Sequence, residues 1–266
     1  MAVIWGLDLK EMQWGKFKNS YMWNNEYHLR RTKFIVYQCA MIFCVISESL
    51  GTAVLSDYID QQRLVAKLNH DAYVYNNDYV GAGSYNIFVG VYIATIFGGA
   101  FFFDLFWPER RETPQVKLAW RICSVLACVF ALSSALTMTV ITATHFAYVA
   151  GVSDDEARRL LAASYKSPGS PMQYRHSGRA IASVVFLWPG FVATVASTVI
   201  MWKSLAHNDR LGPKSTHARE AEKGYGGAPV VDGPAATSDG VARPEHAHVN
   251  GSSSPEMNGE KAYEAV

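Results

Sequence analysis

Apolar and polar positions in this chain are segregated into blocks. Residues 34–55, 85–106, 118–146 and 180–202 are almost wholly apolar, and each block is at least 22 residues long. A helix crosses the hydrocarbon core of a bilayer with about 20 apolar residues. In lipid the backbone must satisfy its own hydrogen bonds, so each block is expected to be a transmembrane helix. The expected fold is all-α, a four-span helical bundle with a disordered C-terminal tail.

The polar segments divide the rest of the chain. Residues 1–33 form an aromatic and basic N-terminal segment, residues 34–206 the four-helix membrane domain, and residues 207–266 a tail rich in Gly, Pro, Ala, Ser and charge. The tail holds too little large apolar surface to offset its ordering entropy and is expected to be disordered. It contains a glycosylation sequon at Asn250, unused if the tail is cytoplasmic. In the N-terminal segment, Trp14, Phe17 and Tyr21 fall on one face of a helix, which could lie in the headgroup region; an irregular segment packed on the bundle is the alternative.

Helix signals continue outside the spans. Nothing breaks the pattern after residue 55 until about Leu68, so the first helix is expected to project past the membrane. Asn76, Asn77, Gly81 and Gly83 supply the expected turn back. Ser153 and Glu156 form a capping-box pattern, which predicts a short helix over residues 157–165, ended by Pro168 and Pro171.

Composition adds exclusions. The 24 basic and 23 acidic residues leave a net charge of +1, which gives no case for nucleic acid as a partner. Mean hydropathy is +0.02, because uncharged spans and charged loops average out. Residues 1–10 lack a basic start followed by an apolar core, so no cleavable signal peptide is expected. All four cysteines (39, 44, 123 and 128) lie in spans, where they read as packing residues or, at Cys39 or Cys123, palmitoylation sites. No P-loop, HExxH or CxxC motif is present, and no cofactor, metal or enzymatic activity is expected.

Lys16, Lys18, Arg30, Arg31 and Lys33 precede the first span, and Arg110, Arg111, Lys117 and Arg121 lie between the second and third. The loop over residues 56–84 holds Arg63 and Lys67, and that over 147–179 holds five basic residues. The basic bias puts both termini in the cytoplasm, in a multi-pass protein of the plasma membrane or an endomembrane. Phe101, Phe102, Phe103, Phe106, Trp107, Trp120 and Trp202 form the expected aromatic belt on that side, and Tyr58, Tyr85, Phe88 and Tyr148 the outer one.

Glu48 is the singular polar residue of the spans. A buried acid in a membrane is expensive and faces the bundle interior or a water-filled path. Depth matching pairs it with Tyr92 on the second helix and with Thr139 or Thr142 on the third, a candidate intramembrane polar site. It reads as hydrogen-bonded glue or as a proton or cation site. Asp104 beside Arg110, Arg111 and Arg121 reads as an interfacial ion pair, and His145 as an interface residue. Gly90, Ala94 and Gly98 form a small-residue ridge for close helix packing, within the bundle or in self-association. Pro189-Gly190 is expected to kink the fourth helix.

In outline the chain resembles claudin- and MARVEL-type tetraspan proteins, which organise membrane domains and junctions, although the outer Trp and paired Cys signature of claudins is absent. The expected function is a non-enzymatic tetraspan that organises membrane or protein assemblies. Its partners would be the bilayer and other membrane proteins or further copies of itself. The alternative is a small transporter or channel subunit with Glu48 on its pathway.

Overall fold

The computed structural model describes residues 3–4, 7–164 and 171–226. Val3–Ile4 (β1) and Leu7–Asp8 (β2) form a minimal hairpin, followed by two 3-10 turns and the short helix α1, Asn19–Met22. The long helices are α2 (Arg30–Leu68), α3 (Asn77–Phe106), α4 (Pro114–Thr144) and α6 (Gly178–Leu211). Each is long and apolar enough to cross a membrane. Outside the spans lie the strands β3 (Tyr73–Tyr75) and β4 (Tyr148–Ala150) and the helices α5 (Asp154–Ser164) and α7 (Thr216–Gly226).

α2 packs on α3 and α6, and α4 packs on the same two, so α2 and α4 stand diagonally across the bundle. The helices carry their apolar residues outward. Ile122, Val129 and Val140 on α4 and Val185, Val192 and Val199 on α6 are all about half exposed or more. In water this would be an aggregation surface; against lipid it is the preferred one. The interior takes small and hydroxylated residues instead: Ala127, Ala131, Ser134, Ala135, Ser183 and Ser197 are fully buried. Small residues let backbones approach. A Cβ on Gly190 would lie 2.9 Å from Cys44 Sγ, so α6 can touch α2 there only as glycine.

Helix ends follow local chemistry. Thr113 caps α4 through the Val116 amide with Pro114 in the first turn, and Ser177 caps α6 through the Ala180 amide. α2 does run on to Leu68, and the capping-box helix forms as α5. Two expectations change, and one choice is decided. Gly81 and Gly83 lie inside α3, because the return is made by β3 and α3 already starts at Asn77. Of the two readings of the N-terminal segment the irregular one holds: it is a run of short turns packed on the bundle, with Phe17 edge-on to Phe106 at 5.7 Å. Residues 207–211 continue α6, and α7 follows. Both the sequon at Asn250 and the remaining tail, 227–266, lie outside the described residues, as do Pro168 and the rest of 165–170.

At the end of the bundle away from α1 and α7 the two loops meet in one cap. β3 pairs antiparallel with β4, with Tyr75 opposite Tyr148. Gly151 makes the turn out of β4 at φ +90, and a Cβ there would fall 1.9 Å from the Asp71 carbonyl oxygen. Beneath the sheet the rings of Tyr58, Tyr79 and Tyr174 pack tilted or edge-on to one another with centroids 4.9–5.3 Å apart. Tyr58 is fully buried, so it belongs to the cap's core rather than to an aromatic belt; Phe101 and Phe106 are likewise buried at the opposite end.

Candidate functional site

Polar groups gather at two depths. The first lies within the membrane. Ser47 on α2 donates to the Ser183 carbonyl at 2.8 Å, and Ser183 on α6 donates back to the Ser47 carbonyl at 2.8 Å. Asn86 on α3 donates to Ser47 Oγ at 3.4 Å and accepts from Ser134 on α4 at 3.1 Å. One side chain from each spanning helix therefore enters a single closed knot. All four residues are at most 2 % exposed. A Cβ on Gly51 would sit 3.4 Å from both Asn86 Nδ2 and Ser183 Oγ, so glycine leaves room for the knot. In a low dielectric such a network holds helix register only if every member is satisfied, and here each side chain has a partner.

The sequence reading passed over this knot and fixed on its neighbour. Glu48 is half-buried, and its carboxyl packs on Gly90: a Cβ there would lie 2.5 Å from Oε2. The expected partners are engaged elsewhere. Tyr92 donates to the Cys123 carbonyl at 3.2 Å. Thr139 donates to its own helix at Ala135 and accepts from Trp188. Thr142 Oγ1 is buried without a partner. The reason is geometric: Glu48 points at α3, whereas Thr139 and Thr142 belong to the diagonal helix α4. The ridge faces inward. Gly90 receives Glu48, Gly98 lies against Met41 of α2 at 3.2 Å from an added Cβ, and Ala94 between them is half-buried. Lone polar residues at matched depth (Asn86 inside an apolar run, with Ser47, Ser134 and Ser183) were the signal that could have found the knot.

The second polar site is charged and lies at the end that carries the N-terminal segment and α7. Asp104 at the end of α3 receives Lys33 of α2 at 2.7 Å and Arg110 at 3.0 Å. Arg110 also reaches Glu112 at 2.6 Å. Arg121, expected near Asp104, lies 3.8 Å from Asp209 of α6 instead, alongside Lys117, and Arg111 joins no ion pair among the described residues. Burial lowers the Arg110 guanidinium, but Asp104 and Glu112 outweigh it and hold the group above its ordinary value. The chain after α6 folds back over this site. The Ser215 amide donates to the Glu26 carbonyl at 2.8 Å and the His28 amide to the Pro213 carbonyl at 3.1 Å. The rings of His28 and His207 stack with centroids 3.6 Å apart. Burial, then the adjoining His207, Lys33 and Arg219, pushes the His28 imidazole below its usual range. These elements line a partly open cavity of about 670 Å³.

At the cap end, Asp78 receives Tyr174 Oη and His145 Nδ1, both at 2.7 Å, so His145 ties α4 to α3. All four cysteines are free; Cys44 packs against Gly190 and Cys128 lies 3.2 Å from Thr198 Oγ1, while Cys39 and Cys123 are half-buried. Among the described residues no group of three or more His, Cys, Asp or Glu side chains is placed to hold a metal ion. No protein-family model matches this chain, and neither a curated protein nor a solved structure matches it.

Proposed function

We propose that this chain is a non-enzymatic tetraspan that organises a membrane assembly and holds its outer cap in fixed register with its cytoplasmic end. The observation that carries this reading is the knot. At the depth where a transport path needs open polar room, Ser47, Asn86, Ser134 and Ser183 are committed to one another. Tyr37, Phe97, Ala127 and Ala131, all at most 1 % exposed, fill the layer between the knot and the charged end. Glu48 meets no second intramembrane charge.

The cap offers a contact surface for a neighbour. Tyr73, Tyr75, Tyr148 and Phe146 are 44–57 % exposed and form a continuous aromatic ladder, with Tyr75 and Tyr148 stacked at 5.0 Å. Aromatic side chains are enriched in protein contacts because they bury large area at low entropic cost. The basic flanks place α7 in the cytoplasm and the cap outside.

Two experiments test the reading. Liposomes carrying the wild type and Glu48→Gln are loaded with proton- and cation-sensitive dyes; neither should show flux, and wild-type flux lost in Glu48→Gln would replace the scaffold with a transporter. Proximity labelling in the native membrane should then return a neighbour set that Tyr75→Ser/Tyr148→Ser loses while the bundle remains folded. For orientation, an impermeant thiol reagent on intact cells should label a cysteine introduced at Ala163 and miss one at Lys223.

A further inference from the structure

The charged cavity holds more positive than negative groups, and the excess is not accidental solvent-facing charge. Seven basic and four acidic side chains line it. Asp104 and Glu112 are occupied by Lys33 and Arg110. Glu222 pairs with Lys214, and Glu109 accepts from Tyr27 Oη. Arg30 and Arg219 have no carboxylate among these.

Arg30 is the informative residue. It is 2 % exposed, and a guanidinium remains charged at any physiological pH. Its Nε donates to the Met22 carbonyl at 3.3 Å, while Nη1 and Nη2 are shielded from water and have no acceptor. The rings of Tyr21, Tyr27 and Phe34, at 4.5, 5.1 and 5.3 Å, give it cation–π support but no counter-charge. Arg219 on α7 donates from Nη1 to the Leu211 carbonyl, and its Nε is also buried without an acceptor. A buried cation lacking an anion is costly. Arg30 is such a cation, and the half-exposed Arg219 brings a second guanidinium to the same cavity, so the site calls for an anion with several acceptor oxygens.

We propose that this cavity binds a phosphate-bearing anion held by the guanidinium groups of Arg30 and Arg219. The planar fork of arginine matches phosphate, and a phosphate has oxygens enough to serve both side chains. A volume of about 670 Å³ accepts a phosphorylated sugar or polyol headgroup. The walls come from the start of α2, the ends of α3 and α6 and the start of α4, which is headgroup depth for the four spans. α7 supplies Arg219 and one wall of the site. A membrane phospholipid and a soluble phosphate share this chemistry, and depth points to the lipid. This inference does not depend on the scaffold reading.

The test uses the full chain in nanodiscs of phosphatidylcholine, with and without 5 % phosphatidylinositol bisphosphate, and soluble inositol trisphosphate as competitor. Wild type should retain the phosphoinositide in native mass spectrometry and melt at a higher temperature in its presence. Arg219→Gln, on the peripheral helix, and Arg30→Lys, which keeps charge and ring contacts but loses the fork, should each weaken binding about tenfold or more, as expected for loss of a charge-assisted hydrogen bond. Equal competition by inositol trisphosphate would assign the site to a soluble phosphate; its failure to compete would assign it to the lipid. Absence of binding to either probe, or wild-type affinity in both variants, overturns the proposal.

Discussion

The knot at mid-span and the charged cavity at the end that carries α1 and α7 are built from polar groups by opposite rules. In the knot four neutral side chains, one per spanning helix, satisfy one another and leave no room. In the cavity ions outnumber their partners, and Arg30 is buried with two nitrogens unserved. Neutral polar groups closed on themselves fix which helix faces which. Charged groups held apart around a void keep binding capacity in reserve. The difference teaches where to look for function: in the polar site that is incomplete.

The largest test of this contrast is Arg110→Met. It strands Asp104 with Lys33 alone and leaves Glu112 without its cation, so stability in detergent should fall by about 3 kcal/mol or more. Adding Glu112→Gln should restore part of that loss, because Glu112 is the carboxylate left without a cation while Asp104 keeps Lys33. Next comes Asn86→Ala, which removes two hydrogen bonds from the knot. Intramembrane bonds are individually weak, so a loss of about 1–2 kcal/mol is expected in reversible unfolding, with the fold retained. If Asn86→Ala were the costlier change, the knot rather than the ion cluster would dominate stability and the contrast would invert.

Two smaller effects probe the lid of the cavity. Truncation after Asn208 removes the acceptor of the His28 amide and the donor to Glu26. Hydrogen exchange over residues 25–28 should quicken about tenfold while the spans stay protected. Finally, acid should loosen α7. The folded His28 resists protonation because of burial and of its stacked neighbour His207, whereas an undocked one protonates near its ordinary value of about 6.5. Docking is then fully stable above that pH and weakens as pH falls below it toward the depressed folded value. A spin label at Lys223 should gain mobility between pH 7.5 and 5, and His28→Gln/His207→Gln should flatten that response.

Much of this fold was legible in the sequence because lipid imposes a crude and local rule. Twenty apolar residues suffice to mark a span, and the uninterrupted pattern after residue 55 marked the outward run of α2. The capping box marked α5 for the same local reason. What escaped was everything decided by contacts between distant segments. β3 and β4 are three-residue strands that exist only through each other. α7 has too little apolar surface to be seen, and it is ordered by backbone contacts to residues 25–28. Glu48 drew attention because a charge in a span is rare, yet the rarity said nothing of its rotation about the helix. Asn86, less conspicuous, joins three helices. Arg30 read as one more basic residue at a span's edge, since the rings that bury it come from Tyr21 and Tyr27 in an irregular segment.

α2 is 39 residues long and contains no proline. At 1.5 Å per residue it is about 58 Å of unbroken helix, nearly twice the thickness of the hydrocarbon core. One end bears Arg30 and Lys33, the middle Ser47 and Glu48, and the far end Tyr58 under the aromatic cap. Mechanically it is a tie-rod. A tug on the β3–β4 sheet reaches the charged cavity along a single stiff member, without a hinge to absorb it. Two glycines inserted after Ser56 should slacken that linkage and leave cap and chamber to move independently.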